Sequence, residues 1–258
     1  MTYRANPADG AAWVTGASSG IGRGAALELA RRGYRVHATA RRKEALEALS
    51  LEAEGLKGSI VAAPGDVTDR ARMAELVEEI ERQEPIALAL LNAGGYFSDV
   101  PGDLGGEGFT KTMALNLQGV LNGLNPVFNA MCARKRGQIA IVASIAGYGG
   151  LPNSGAYGPS KAALISLAEG MKFAADPANV TIQVVNPGYI KTPLTDRNAF
   201  SMPFLMEVGA ASRRLCDGLE CGGFEIRFPT RLALILRAIT LLPYPLYFPF
   251  VRAISGGR

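Results

Sequence analysis

Thr15-Gly16-Ala17-Ser18-Ser19-Gly20-Ile21-Gly22 is the stretch whose reading decides the fold. It follows a short apolar run, Ala11–Thr15, and opens a helix-period segment, Gly20–Arg32, closed by Gly33. Glycines at 16, 20 and 22 let the backbone turn tightly and approach a pyrophosphate closely. The helix start beyond them offers unpaired N–H groups and the positive end of a dipole. A glycine pattern alone is weak, because tight turns are common. Here strand, turn and helix come in the order that dinucleotide binding requires. Gly16, Ser18, Ser19, Gly20 and Ile21 are the expected cofactor contacts.

The same alternation continues along the chain. Arg35–Ala40 reads as a strand, with a helix from Lys43. Ser59–Ala63 reads as a strand, with a helix from the capping pair Thr68-Asp69 to about Gln83. Ala87–Asn92 and Gln138–Ser144 are buried strands, separated by a glycine-rich loop (Val100–Gly108) and a long helix ending near Lys135. Ala156–Ala175 reads as helix, and Val180–Asn186 and Phe224–Phe228 as strands. This repetition predicts one α/β domain over residues 1–258. Its expected form is a Rossmann-type, doubly wound parallel sheet of about seven strands, with helices on both faces.

Composition narrows the function. In 258 residues, 48% are apolar and 19% charged, enough for a sizeable core. The net charge of +4 is mild and the basic residues are scattered, so no nucleic-acid partner is expected. Cys132, Cys216 and Cys221 are too few and too irregular for a disulfide framework or a zinc site. No metal is expected, and a reducing cytoplasm is the natural compartment. His37 is the single histidine, flanked by Val36 and Ala38 in a strand, and it reads as structural. A Ser-His-Asp triad is therefore improbable, and proton chemistry must come from other side chains. MTYRANPADG lacks the apolar core of a signal peptide. The longest uncharged apolar stretch, Ala238–Val251, is too short to span a membrane and is interrupted by Pro243, Pro245 and Pro249.

Taken together, the motifs resemble those of the compact members of the short-chain dehydrogenase/reductase family. The glycine turn matches that family's TGxxxGIG signature. Asp66-Val67 resembles its adenine-contacting pair, and Asn92-Ala93-Gly94 its NAG segment. Asn116, Ser144, Tyr157 and Lys161 follow the order and spacing of its catalytic residues. Asn186-Pro187-Gly188, Ile190 and Thr192 resemble the segment bordering the nicotinamide. The resemblance covers roughly residues 10 to 195. It implies hydride transfer between a nicotinamide cofactor and a carbonyl or hydroxyl carbon. In that scheme Tyr157 moves the proton and Lys161 also holds the ribose. Ser144 bonds the substrate oxygen, and Asn116 helps to hold a water in a relay behind Lys161.

The residues support that chemistry by themselves. Tyr157 and Lys161 are four apart, so on a helix they share a face. A phenol is a poor acid–base catalyst near neutrality, and an adjacent ammonium draws its pKa toward the working range. Pro159 falls in the first helical turn, where a missing N–H costs little.

The residue after the second strand discriminates between the two cofactors. Ala40 stands there, followed by Arg41 and Arg42, with no carboxylate to repel a 2′-phosphate. NADP(H) is favoured over NAD(H), with Arg41 as the main contact. Against this, the glycine turn carries Ser19 and no second basic residue. The substrate lid is expected at about 193–215, where Phe200, Met202, Phe204, Leu205 and Met206 suit a lipophilic carbonyl or alcohol compound. Tyr148, Leu151 and Tyr189 are further candidate pocket residues.

Two readings of the apolar segment 230–258 stand. It covers the pocket or a partner subunit, or it makes weak contact with a membrane surface, which would leave the protein peripheral there. The first is favoured, because the prolines break a continuous amphipathic helix. The resemblance also implies a homodimer or homotetramer pairing through the helices of Asn116 and Tyr157. A non-catalytic cofactor-sensing protein on the same fold is the competing function. It would have little need for Ser144, Tyr157, Lys161 and Asn116 together. Epimerisation or dehydration on the same fold ranks below both.

Overall fold

A computed structural model describes residues 3–97, 104–152, 154–195 and 202–254. Among these residues seven strands form one wholly parallel sheet: β1 (Ala11–Thr15), β2 (Arg35–Thr39), β3 (Ser59–Ala62), β4 (Ile86–Leu91), β5 (Gly137–Val142), β6 (Val180–Pro187) and β7 (Glu225–Phe228). Their order is β3-β2-β1-β4-β5-β6-β7, so the winding reverses between β1 and β4. A crevice opens at the carboxyl ends of the strands at such a reversal. The central strands are apolar at successive positions, as a sheet covered on both faces requires.

Helices α1 (Gly20–Arg31), α2 (Lys43–Glu52) and α7 (Val208–Cys221) cover one face with Ala25, Leu29, Leu46, Leu49, Leu215 and Leu219. Helices α3 (Arg70–Glu81), α5 (Gly119–Ala133) and α6 (Tyr157–Ala175) cover the other with Met73, Leu76, Val127, Met131, Leu164 and Ala168. Trp13 of β1 lies on this second side, and its indole N–H donates to Thr39 Oγ1 at 2.9 Å. His37 is buried on β2 beside Glu84, 3.5 Å away, and burial lowers its pKa; its place is structural.

Three expectations need revision. The helix expected through Asn116 is not uniform: α4 (Glu107–Met113) and α5 are joined by a π-helical turn, Ala114–Gln118. Such turns are rare and tend to mark functional positions. Part of the range expected as lid is regular helix. Residues 208–215 belong to α7, whose Ala211 and Leu215 are fully buried beneath α1. Phe200 lies outside the described residues, as do 100–103 of the glycine-rich loop.

The prolines of the C-terminal segment do not prevent helix formation. After α8 (Thr230–Ile239), α9 runs Tyr244–Ile254. Pro245 sits in its first turn, where no N–H is needed. Pro249 removes one bond to the exposed, solvent-facing part of the helix, where the cost of the lost bond is low. Ile239, Tyr247 and Val251 form a small core with Leu151, Leu236 and Leu242, so both helices rest on the loop after Ser144. Among the described residues no helix is long and apolar enough to cross a membrane.

Candidate active site

The glycine turn is held by the end of β4. Asn92 Nδ2 donates to the Thr15 carbonyl at 3.0 Å, and the N–H groups of Asn92 and Ala93 donate to Thr15 Oγ1 at 3.0 and 3.1 Å. Gly16 has φ +69°, and a Cβ there would meet Ala93 Cα at 2.8 Å. A Cβ on Gly22 would overlap both Asn92 Nδ2 and the Gly16 carbonyl. Close approach therefore requires glycine at both positions. Thr15 earns a structural role that sequence reasoning did not assign; its β-branched hydroxyl at the strand end was the available signal.

A cleft of about 480 Å³ opens at the carboxyl ends of β1, β2, β4, β5 and β6. Gly16, Ser18, Ser19, Gly20, Ile21, Arg41, Asp66 and Val67 line it together with Asn92, Ala93 and Gly94. Ser144, Tyr157 and Lys161 line the same cleft, as do Pro187, Gly188, Ile190 and Thr192. Ser19 makes no side-chain capping bond to α1, so the N–H groups of the first turn remain available to an anion. A glycine cradle beside a helix start, continuous with the Tyr157–Lys161 pair, fits a nicotinamide dinucleotide. Ala40 and Arg42, the neighbours of Arg41, also line the cleft, and so do Gly65, Leu115, Val142, Ala143, Pro193, Leu194 and Thr195, which had not been singled out. For Thr195 the signal was its spacing from Thr192: its hydroxyl accepts from Thr192 N at 2.9 Å and ties down that turn.

Tyr157 is the first residue of α6, and Lys161 lies one turn further on. Lys161 Nζ donates to the Val142 carbonyl at 2.9 Å and stands 5.6 Å from the centre of the Tyr157 ring. Burial lowers the Lys161 pKa to about 8. Burial also raises the Tyr157 phenol, with the Ser144 hydroxyl acting in the opposite sense. The expected depression of the phenol by the ammonium is therefore not seen in the protein by itself: desolvation dominates, and the opposing influence is that of Ser144. Ser144 Oγ accepts from Ala146 N at 3.1 Å and faces the Pro187 carbonyl at 3.4 Å.

Asn116 is fully buried and does not line the cleft. Its Oδ1 accepts from Gly95 N at 2.8 Å, and its Nδ2 donates to Ser160 Oγ at 3.0 Å. A Cβ on Gly94 would stand 3.2 Å from both Asn116 Oδ1 and Lys161 Nζ. The Asn116 side chain is thus committed to joining the π-helical turn, the segment after β4 and α6.

Arg41 is 77% exposed at the cleft, with Nη1 4.0 Å from Asp66 Oδ2. The Asp66 carboxylate also accepts from Thr68 N and Thr68 Oγ1 at 2.9 and 2.8 Å. Tyr148 and Leu151, expected at the pocket, instead face α8 and α9 across a small cavity. Tyr189 packs beside Leu232 and Ile145. Tyr148 is drawn aside by Glu225, which accepts from Tyr148 Oη at 2.6 Å, Asn186 Nδ2 at 2.7 Å, Arg227 at 2.7 Å and Arg237 at 2.9 Å. No local sequence pattern joins these five residues.

A sequence model described as short chain dehydrogenase matches residues 10–201. The chain belongs to this family. An uncharacterized oxidoreductase of Myxococcus xanthus is 36% identical over 248 residues, 96% of each chain. A 3-oxoacyl-[acyl-carrier-protein] reductase of Thermotoga maritima is 33% identical over 71% of this chain and 75% of its own. Among solved structures, a short-chain dehydrogenase from Sphingobium yanoikuyae in complex with NADPH superposes with a TM-score of 0.78. It is 26% identical and covers 96% of both chains. As a short-chain dehydrogenase, the protein is an NAD(P)-dependent oxidoreductase.

Proposed function

We propose that this short-chain dehydrogenase reduces a lipophilic carbonyl compound and prefers NADP(H) to NAD(H). The carrying observation is that Ser144, Tyr157 and Lys161 line the same cleft as the glycine turn and Arg41. When bound, the cofactor supplies the hydride. The chain's own residues orient the substrate oxygen and deliver the proton. Ser144 donates a hydrogen bond to that oxygen as negative charge grows on it. Tyr157 gives up its phenolic proton there. Burial keeps the phenol protonated at neutral pH, the form needed for reduction.

Lys161, held by Val142, contributes positive charge beside the phenol and a donor for ribose hydroxyls. Asn116 is a positioning residue for this arrangement. Gly16, Ser18, Ser19, Gly20 and Ile21 receive the pyrophosphate, and Asp66 and Val67 the adenine. Asn92, Ala93 and Gly94 support the turn, and Pro187, Gly188, Ile190 and Thr192 border the nicotinamide. Arg41 at the cleft rim, with Ala40 in place of a carboxylate, supports the cofactor preference, as does the NADPH-bound Sphingobium relative. Leu115, Pro193 and Leu194 in the lining support an apolar substrate. Pairing through α5 and α6 as a homodimer or homotetramer is supported by Phe173, 83% exposed on α6.

The test is Tyr157→Phe assayed with NADPH over aldehydes, ketones and 3-oxoacyl thioesters of graded chain length. Turnover falls by about a hundredfold or more while the cofactor still binds. Full activity in the variant would remove Tyr157 from the chemistry. An inactive parent that binds cofactor would favour a sensing function.

A further inference from the structure

Seven of the thirteen large apolar side chains exposed among the described residues lie between Leu234 and Phe250. They are Leu234 and Ile235 on α8, Leu241 between the helices, and Tyr244, Leu246, Phe248 and Phe250 on α9. Soluble monomers scatter such residues singly; a concentration of them marks an interaction surface. Both helices turn one side into the seam of Ile239, Tyr247 and Val251 and leave the other outward. On the outward side Tyr244 stacks on Phe248, with ring centres 5.5 Å apart.

Charge identifies what this surface meets. After Glu225 the chain contains no Asp or Glu, while arginines stand at 227, 231, 237, 252 and 258. Arg227 and Arg237 are engaged by Glu225. Arg231 and Arg252 are exposed and have no ion-pair partner among the described residues. A two-fold pairing of this surface with its own copy would bring arginine-rich faces together with no carboxylate of the segment to meet them. An anionic lipid surface complements both features: aromatic and aliphatic side chains enter the headgroup boundary, and arginines meet the phosphates.

We propose that α8 and α9 dock the protein on the surface of an anionic phospholipid bilayer, without crossing it. The surface belongs to the same two helices that rest on the loop after Ser144, so docking brings the substrate side of the cleft toward the lipid. That last orientation rests on the proposed reading of the cleft; the binding itself does not.

The experiment is co-sedimentation of the full chain with phosphatidylcholine vesicles, with and without about 30% phosphatidylglycerol. The intact protein is expected to pellet with the anionic vesicles and far less with the neutral ones. Phe248→Ser with Phe250→Ser, both at exposed positions, weakens binding by at least about tenfold. Arg231→Gln with Arg252→Gln weakens it about fivefold for each arginine and removes most of the preference for anionic lipid. Circular dichroism and cofactor binding establish that the variants remain folded. Failure of the folded parent to pellet with anionic vesicles overturns the proposal. So does vesicle binding that Phe248→Ser with Phe250→Ser leaves unchanged. Loss of an oligomer in the serine variant, with no lipid binding by the parent, also overturns it and assigns the surface to self-association. None of these readouts depends on turnover, so they stand whether or not a carbonyl substrate is found.

Discussion

Lys161 Nζ stands 5.6 Å from the centre of the Tyr157 ring, yet its hydrogen bond goes to the Val142 carbonyl at 2.9 Å. The ammonium is therefore buried against a neutral acceptor and a π-face, with no carboxylate paired to it among the described residues. Its proton is easier to lose than in water, and its pKa falls to about 8.

This has a consequence for stability. The unfolded chain keeps the Lys161 proton up to the ordinary lysine value of 10.5, whereas the folded protein loses it near 8. Between those values the unfolded state binds more protons, so this group makes folding more favourable as pH rises. The full window is worth on the order of 3 kcal/mol. Thermal unfolding of the cofactor-free protein and of Lys161→Met, followed from about pH 7 to about pH 10, should show the parent gaining on the variant. A constant difference across that range would mean that burial does not depress this lysine. Activity should be lost in Lys161→Met throughout.

Glu225 presents the opposite case. Burial pushes its carboxyl up, but hydrogen bonds from Tyr148, Asn186 and Arg227 and the Arg237 charge outweigh it and hold the pKa below the ordinary value. Such a carboxylate stabilises the fold above the usual carboxylate range, and that stability is lost as pH falls through its lowered pKa. Glu225→Ala removes the common acceptor of β6, β7, α8 and the Tyr148 loop, and strands the buried Asn186 amide. The expected loss is roughly 2–4 kcal/mol, read from denaturant unfolding near neutral pH. Glu225→Gln, which keeps an acceptor, should lose less. Equal stability of parent and alanine variant would show the cluster to be energetically neutral.

The glycine turn has less tolerance than its local sequence suggests. Gly22→Ala places a methyl against both Asn92 Nδ2 and the Gly16 carbonyl, and neither is the flexible end of a long side chain. Overpacking of this kind costs about 1–3 kcal/mol. Because the shift falls on the turn itself, cofactor affinity should fall together with the melting temperature. Calorimetric titration with NADPH is the measurement, and undiminished binding would contradict the close fit.

What the sequence makes legible here is local. The strand–glycine–helix order, the seven apolar runs and the one-turn spacing of Tyr157 and Lys161 are all short-range, and each is realised in the fold. What it conceals depends on distant partners. Tyr148 looks like a pocket residue until Glu225, 77 positions away, draws its hydroxyl aside. Residues 208–215 look like lid until their apolar side finds α1. The π-helical turn carries Asn116, whose side chain bonds to Gly95 and Ser160, and no periodicity announces those contacts. The prolines of α9 argue against a helix, and only the burial of Tyr247 and Val251 shows why one forms.

Cofactor choice turns on Arg41. Its guanidinium is largely exposed at the cleft rim and lies 4.0 Å from Asp66, a loose contact that a 2′-phosphate can outcompete. Arg41→Asp replaces a phosphate partner with a carboxylate that repels phosphate and can bond a ribose 2′-hydroxyl. The ratio of kcat/KM for NADPH to that for NADH should fall by about tenfold to a hundredfold. The new carboxylate also adjoins Asp66, so part of any loss could reflect repulsion between the two. Arg41→Ala separates these effects: it removes the phosphate partner alone and should lower the NADPH term while sparing NADH. If neither substitution moves the ratio, Arg41 is a solvated surface residue and the preference must be set elsewhere, with the adjacent Arg42 the next position to change.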